Sequence, residues 1–245
     1  MTKWPRSHMV RPSAIPKAVR TVKTSRAAAR STTVPVPPAV LHVSSTNWPR
    51  GRPIHRIHLV RYAADGFNPG RKGNARFSPI VDTSGAAIPT LYGGSTFDCA
   101  AMETVFHDVP FASGFKSFDK RKLVGQIHSV LLPATDLVLA DLSNVALRKL
   151  GVPRAQLIDT EKDCYPETRK WAEAIHARAA KIQGLCWTSR QDDQALAIIL
   201  FGDRIVAKTL MPHRSSRALL SDPSAYAELL ILADRIGVSV VAGKS

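Results

Sequence analysis

Long apolar runs are missing from this chain of 245 residues. The longest, ALAIILFG at 195–202, is far short of the roughly 20 residues that cross a bilayer, so no membrane-spanning helix is expected. Cysteine is scarce as well. Cys99, Cys164 and Cys186 are odd in number and show no C-x-x-C spacing, which argues against a disulfide framework or a thiolate metal cage and for reduced thiols. Acidic residues are absent from the first 64 positions, where twelve Lys or Arg stand unopposed, whereas beyond them twenty-two basic residues face nineteen acidic ones. The formal charge of +15 is therefore mostly the property of a leading segment and does not mark the remainder as a nucleic-acid binder. That segment has no apolar stretch ahead of a small-residue cleavage site, so no secretory leader is expected and the cytoplasm is the expected location. Metal motifs are lacking too. The eight histidines are scattered without an H-E-x-x-H pair, and His55 and His58, three apart, fall on opposite faces of a strand, so no metal is expected. Neither a G-x-G-x-x-G nor a Walker motif occurs.

Residues 1–53 mix Ser, Thr, Ala and Arg with eight prolines, including VPVPP at 34–38, and show no sustained period. They read as a disordered basic extension, in which KAVRTVKTSRAAAR at 17–30 is the one stretch that could form a short amphipathic helix. Such a tail is either a solubilising extension or a source of weak, non-specific contacts with anionic surfaces, nucleic acid included.

From Ile54 the texture changes, and the 44% hydrophobic content is enough for a sizeable core. PIHRIHLVRY alternates as a strand does, with Ile54, Ile57 and Leu59 toward the core. IPTLYGG reads as a strand ending in a glycine pair. Ser95 then caps a helix, with Asp98 three residues on in the manner of a capping box, that runs to about Asp108. KLVGQIHSVLLP and LVLADL read as strands, NVALRKLG as a short helix closed by Gly151, and YPETRKWAEAIHARAAKI as a longer helix with proline in its first turn. GLCWTS, LAIILFG and RIVAKTL suit further strands, and DPSAYAELLILADRIG a last helix stopped by Gly237. Strands and helices are interspersed without a regular β-α-β rhythm, so an α+β arrangement is expected.

Within this pattern a few residues carry chemistry. LYGGST places two glycines at a helix N-terminus, where backbone N–H groups can hold an anion, although such pairs are more often plain turns. Glu103 has Cys99, Ala100 and Phe106 as helical neighbours, so its carboxylate is partly buried and needs a partner. It is either one half of a structural ion pair or a carboxylate facing a pocket, reached by Arg56 or Arg76 and completed by the hydroxyls of Tyr92 or Ser189. Ser189 in SRQDD is either the cap of a turn to Asp192 or a ligand-facing hydroxyl.

The order HRIH, RFSP, Tyr92 with Glu103 eleven residues later, YPETRKWAEAIHA and GLCWTSRQDDQALAIILFGD resembles the RES-domain family, the toxin halves of RES/Xre toxin-antitoxin pairs. The resemblance covers 54–245. It implies an ADP-ribosyltransferase-like mixed β core with flanking helices and an enzyme that consumes NAD as substrate by cleaving the nicotinamide–ribose bond. Inorganic phosphate is the expected co-substrate and no metal is implied, so NAD phosphorylase is the activity the resemblance leads one to expect. A protein ADP-ribosyltransferase using the same pocket is the alternative, and a nucleic-acid-binding protein acting through the basic tail is a more distant one. Carried over by position, the resemblance implies Glu103 and Arg76 as catalytic residues and Arg56, Arg76, Tyr92 and Ser189 as NAD-binding residues. Arg61, followed by Tyr62, competes with Arg56 for the first arginine role. Ala75 stands where relatives often have glycine, and Gly93 and Gly94 stand where they often have bulkier residues. The implied partner is an Xre-type helix-turn-helix antitoxin that covers the pocket, with a homodimer within the complex.

Overall fold

The computed structural model describes Met1 and residues 33–70 and 72–243, and the fold belongs to the compact unit Thr32–Ser245. The helix expected at 17–30 lies outside the described residues. In chain order the elements are β1 (Ser45–Trp48), β2 (Ile54–Leu59), β3 (Ile80–Val81), β4 (Ala87–Ile88), β5 (Thr90–Gly94), α1 (Phe97–Thr104), β6 (Lys116–Asp119), β7 (Gln126–Pro133), β8 (Leu137–Asp141) and α2 (Ala146–Leu150). They continue with α3 (Arg154–Leu157), α4 (Tyr165–Arg178), β9 (Gly184–Thr188), β10 (Leu196–Phe201), β11 (Leu210–Pro212), β12 (Arg217–Ala218), α5 (Pro223–Arg235) and β13 (Val238–Val241).

Nine strands form one mixed sheet in the order β1-β8-β9-β10-β5-β2-β7-β11, with β12 also paired to β7. Every pair in it is antiparallel except β8 with β9. The fold is thus the expected α+β mixed sheet with flanking helices. Three apolar clusters hold it together. One gathers Trp171 and Ile175 of α4 with Leu185, Trp187 and Phe201, a second packs Ala101 and Phe106 against Leu229 of α5, and a third joins Trp48, Ile54, Leu131 and Leu139.

Helix ends follow local chemistry. Asp222 caps α5 by accepting from the Ala225 amide at 2.9 Å, and Gly237, at φ 64°, turns the chain into β13. Gly151, at φ 84°, closes α2 as expected. At α1 the cap is Thr96, whose hydroxyl accepts from the Cys99 amide at 3.0 Å, rather than Ser95. Ser95 Oγ accepts instead from the Leu196 amide at 3.0 Å, so pairing with β10 claims the residue that local spacing assigns to the helix. The helix also ends at Thr104, short of Asp108.

The strand expected at RIVAKTL does not form. Gly202–Arg204 is a 3-10 turn, Lys208 lies at φ 66°, and pairing begins only at Leu210. Arg204 is recruited elsewhere, donating from Nη1 to the carbonyls of Ala179 (2.8 Å) and Ile182 (2.6 Å) just beyond α4. Lys120–Leu123 is likewise a 3-10 turn, so β7 starts at Gln126, and Leu59 at the end of β2 is exposed rather than core. β6 and β13 pair in parallel as a separate small sheet that local patterning did not announce.

The described part of the expected extension makes contacts with the fold. Val34 is buried, Pro35 O accepts from Trp171 Nε1 at 2.7 Å, and Pro38 O accepts from Arg178 Nη1 at 2.5 Å. β1 then pairs with β8, setting Trp48 opposite Leu137 with its ring 1% exposed, capped by the Arg52 guanidinium 4.2 Å from the ring centroid. Prolines suit this edge path, because they lack the N–H that a central strand would use. Trp48→Ala is expected to lower the unfolding free energy by about 4 kcal/mol, measured by urea titration. An unchanged midpoint would show that folding begins after residue 53.

Candidate functional site

A cavity of about 400 Å³ opens over the middle of the sheet, where β10, β5 and β2 are neighbours. Its wall on one side is the second half of α1, through Ala100, Glu103 and Thr104. The glycine pair of LYGGST explains the close packing here, Gly94 against the helix and Gly93 against the neighbouring strand. A Cβ on Gly94 would sit 2.8 Å from Cys99 Sγ and 3.2 Å from the Ala100 amide, and one on Gly93 would sit 2.4 Å from Ile54 Cγ2. The helix N-terminus itself does not line the cavity; the glycines permit close packing rather than an anion cradle.

Glu103 is held by the turn between β9 and β10. Ser189 is fully buried there and donates from Oγ to Glu103 Oε1 at 2.6 Å, while its oxygen accepts from the amides of Gln191 and Asp192, each at 3.0 Å. One donor and two acceptor positions are all that a hydroxyl has, so its proton direction is fixed toward the carboxylate. The turn is tied further by Arg154, which donates to the carbonyl of Thr188 at 3.1 Å and is ion-paired to Asp159 at 3.1 Å. Of the two readings of Ser189 the turn cap is the one seen, and its proton goes to Glu103 rather than to a ligand. Ser189 does not itself line the cavity.

Arg76 enters from the loop before β3 with its backbone fixed on three sides. Its carbonyl accepts from the buried Thr168 hydroxyl of α4, the Ala75 carbonyl accepts from Arg169 Nε at 3.1 Å, and the Phe77 amide donates to Tyr92 Oη at 2.9 Å. The Arg76 side chain donates to Thr160 Oγ1 at 2.6 Å and lies 5.0 Å over the Tyr165 ring. Burial lowers its pKa, and the nearby Tyr165 and Glu103 oppose that shift. No carboxylate among the described residues lies within ion-pair distance of Arg76 or Arg56. Arg56 is buried too, donates to the Ala64 carbonyl at 2.7 Å, and has its pKa lowered to about 10 by burial, with Asp65 pulling the other way. Arg61 is exposed, stacked 5.0 Å from the Tyr62 ring and outside the cavity, so Arg56 is the arginine of this strand that reaches it.

Tyr92 lines the cavity with its ring edge-on to Trp187 at 6.3 Å, and burial pushes its phenol pKa up. Its hydroxyl is committed to the Phe77 amide, so it supports the Arg76 loop. Arg56, Arg76, Tyr92 and Glu103 thus share one cavity, with Ser189 behind Glu103.

Sequence reading missed His107, Lys162 and Tyr165. Tyr165 Oη contacts His107 Nε2 at 3.3 Å, and Asp108 accepts from His107 Nδ1 at 2.8 Å and from Lys162 Nζ at 2.6 Å. His107 stands four residues after Glu103 and within the helix expected from sequence, so that spacing was the signal that could have found it, although α1 itself ends at Thr104. With Lys162 and Asp108 paired, two arginines face Glu103 alone, and the cavity carries net positive charge suited to an anion.

A family model described as the RES domain matches residues 53–218. No curated protein matches the chain. Ser189→Ala is expected to cost about 2 kcal/mol of stability, since two backbone N–H groups and one carboxylate oxygen lose their partner at once. Urea denaturation reads this, and a loss under about 0.5 kcal/mol would mean that the turn satisfies those groups without the hydroxyl.

Proposed function

Because this chain belongs to the RES-domain family, whose members act on NAD, we propose that it cleaves the nicotinamide–ribose bond of NAD and passes the ADP-ribosyl group to inorganic phosphate. The reading is carried by Glu103, a single carboxylate fixed by Ser189 and facing the same cavity as two buried arginines without acidic partners.

The chemistry fits a site with one carboxylate outside an ion pair among the described residues. When the C1′–N bond of NAD breaks, its electron pair leaves with the ring and nicotinamide departs neutral, so no general acid is needed. The positive charge moves onto the ribose as an oxocarbenium-like centre, which a fixed carboxylate stabilises through its field and a hydrogen bond to the 2′-OH that tightens in the transition state. Glu103 supplies that group, and Ser189 keeps it from rotating away. A phosphate oxygen then bonds to C1′, giving ADP-ribose 1″-phosphate. Arg76 and Arg56 present guanidinium forks to the NAD diphosphate or the incoming phosphate, and the Tyr92 ring offers a face for nicotinamide.

The same reading makes the chain the toxin of a pair whose helix-turn-helix antitoxin covers the cavity. Phe111, 88% exposed beside His107 and Asp108, offers apolar surface for such a cover.

Proton NMR of NAD with purified protein, with and without phosphate, tests the reaction. Nicotinamide release that requires phosphate is expected, and release indifferent to phosphate would move the acceptor to water or a protein. Glu103→Gln is expected to reduce release at least about hundredfold with an unchanged melting temperature; full activity would remove Glu103 from the mechanism. Arg76→Lys is expected to raise the KM for NAD about tenfold, because a point charge replaces a fork.

A further inference from the structure

Behind the cavity runs a chain of four side chains that the proposed reaction does not use, with His128 buried and His55, Arg217 and Glu228 partly exposed. Glu228 of α5 accepts from Arg217 at 2.8 and 3.0 Å, Arg217 Nη2 contacts His128 Nδ1 at 3.1 Å, and His128 Nε2 contacts His55 Nδ1 at 3.1 Å. The two imidazole planes lie within 15° of each other, and the Phe97 ring packs edge-on against His128 at 5.0 Å. His55 lines the cavity, whereas His128 does not.

Donor and acceptor roles in this chain follow from its far end. A guanidinium only donates, so His128 Nδ1 must accept from Arg217. A neutral His128 then carries its proton on Nε2 and donates it to His55 Nδ1. A neutral His55 with an accepting Nδ1 must in turn hold its own proton on Nε2. Both rings are kept neutral: burial drives the His128 pKa down to about 3, helped by His55 and Arg217, and burial likewise lowers that of His55 against the pull of Glu228. Among the described residues the hydrogen bond to His55 engages its Nδ1, and the half-buried ring lines the cavity, which leaves Nε2 as the nitrogen for a ligand.

We propose that His55 is a further substrate-binding residue, presenting a neutral Nε2–H donor to an acceptor oxygen of the dinucleotide, and that Arg217 sets this tautomer through His128. The proposal rests on the reading of the cavity as an NAD site. The acceptor is either a phosphate oxygen or the nicotinamide carbonyl. Both ask for the same neutral donor, which adds direction without adding charge to a site that already holds two cations.

Imidazole ¹⁵N NMR of the protein without ligand reads the tautomers directly. Both His55 and His128 are expected in the Nε2–H form, with Arg217→Met releasing His128 into a mixture. A wild-type His55 protonated on Nδ1 would overturn the proposal. NAD titration and steady-state kinetics read the contact. His55→Leu is expected to raise Kd and KM about tenfold, the loss of one hydrogen bond, with kcat changed less than about twofold. His55→Gln, which keeps an N–H at the Nε2 position, is expected to recover most of that loss. Parallel titrations with ADP-ribose and with nicotinamide assign the acceptor by which of the two loses affinity in His55→Leu. Unaltered affinity of His55→Leu for all three would overturn the role of His55, whereas a wild-type protein that binds no NAD would instead overturn the substrate reading on which it rests.

Discussion

The hydrogen bond from Ser189 to Glu103 joins the two halves of the site. On one side stands α1, pressed against β5 because Gly94 leaves no side chain between them. On the other stands the β9–β10 turn, whose two amides hold the serine oxygen. Only with both in place does a carboxylate reach the cavity as an acceptor with a fixed direction. A longer side chain at position 94 would push α1 outward and lengthen the 2.6 Å contact, and the field at the cavity would fall with it.

Much of this was legible in the sequence wherever a residue's role is set by its near neighbours. The strands at 54–59, 90–94 and 184–188 and the helices ended by Gly151 and Gly237 follow from alternation and capping. Legibility failed where tertiary pairing outbid a local signal. Ser95 looked like a cap but bonds β10, and Thr96 took the role. Arg204 and Lys208 sit in a pattern that alternates like a strand, yet Arg204 bonds the chain beyond α4 and Lys208 turns left-handed. Trp48 sat among prolines that suggested no structure, yet it anchors an edge strand.

The site shows the same division. Arg56, Arg76, Tyr92 and Glu103 were nameable because the resemblance to the RES domain supplied an order that spacing could not. The polar partners that orient them were not nameable, since Thr160, Thr168 and Arg154 become relevant only through contacts spanning 84, 92 and 34 residues. No periodicity in the chain encodes these meetings.

The electrostatic design follows from what those partners are. Arg76 is buried against a threonine hydroxyl, a carbonyl and an aromatic ring, groups that offset part of the desolvation of a cation without neutralising it. A carboxylate in their place would form a stable ion pair and cancel the attraction for an anionic ligand. Arg56, satisfied by the Ala64 carbonyl, follows the same rule. The histidines complete it, since two neutral imidazoles next to the arginines leave the net charge where it is, and Glu228 balances Arg217 at a distance. A cavity arranged in this way keeps positive charge available for an anion, and of its two carboxylates Asp108 is paired with Lys162 while Glu103 has no ion pair among the described residues.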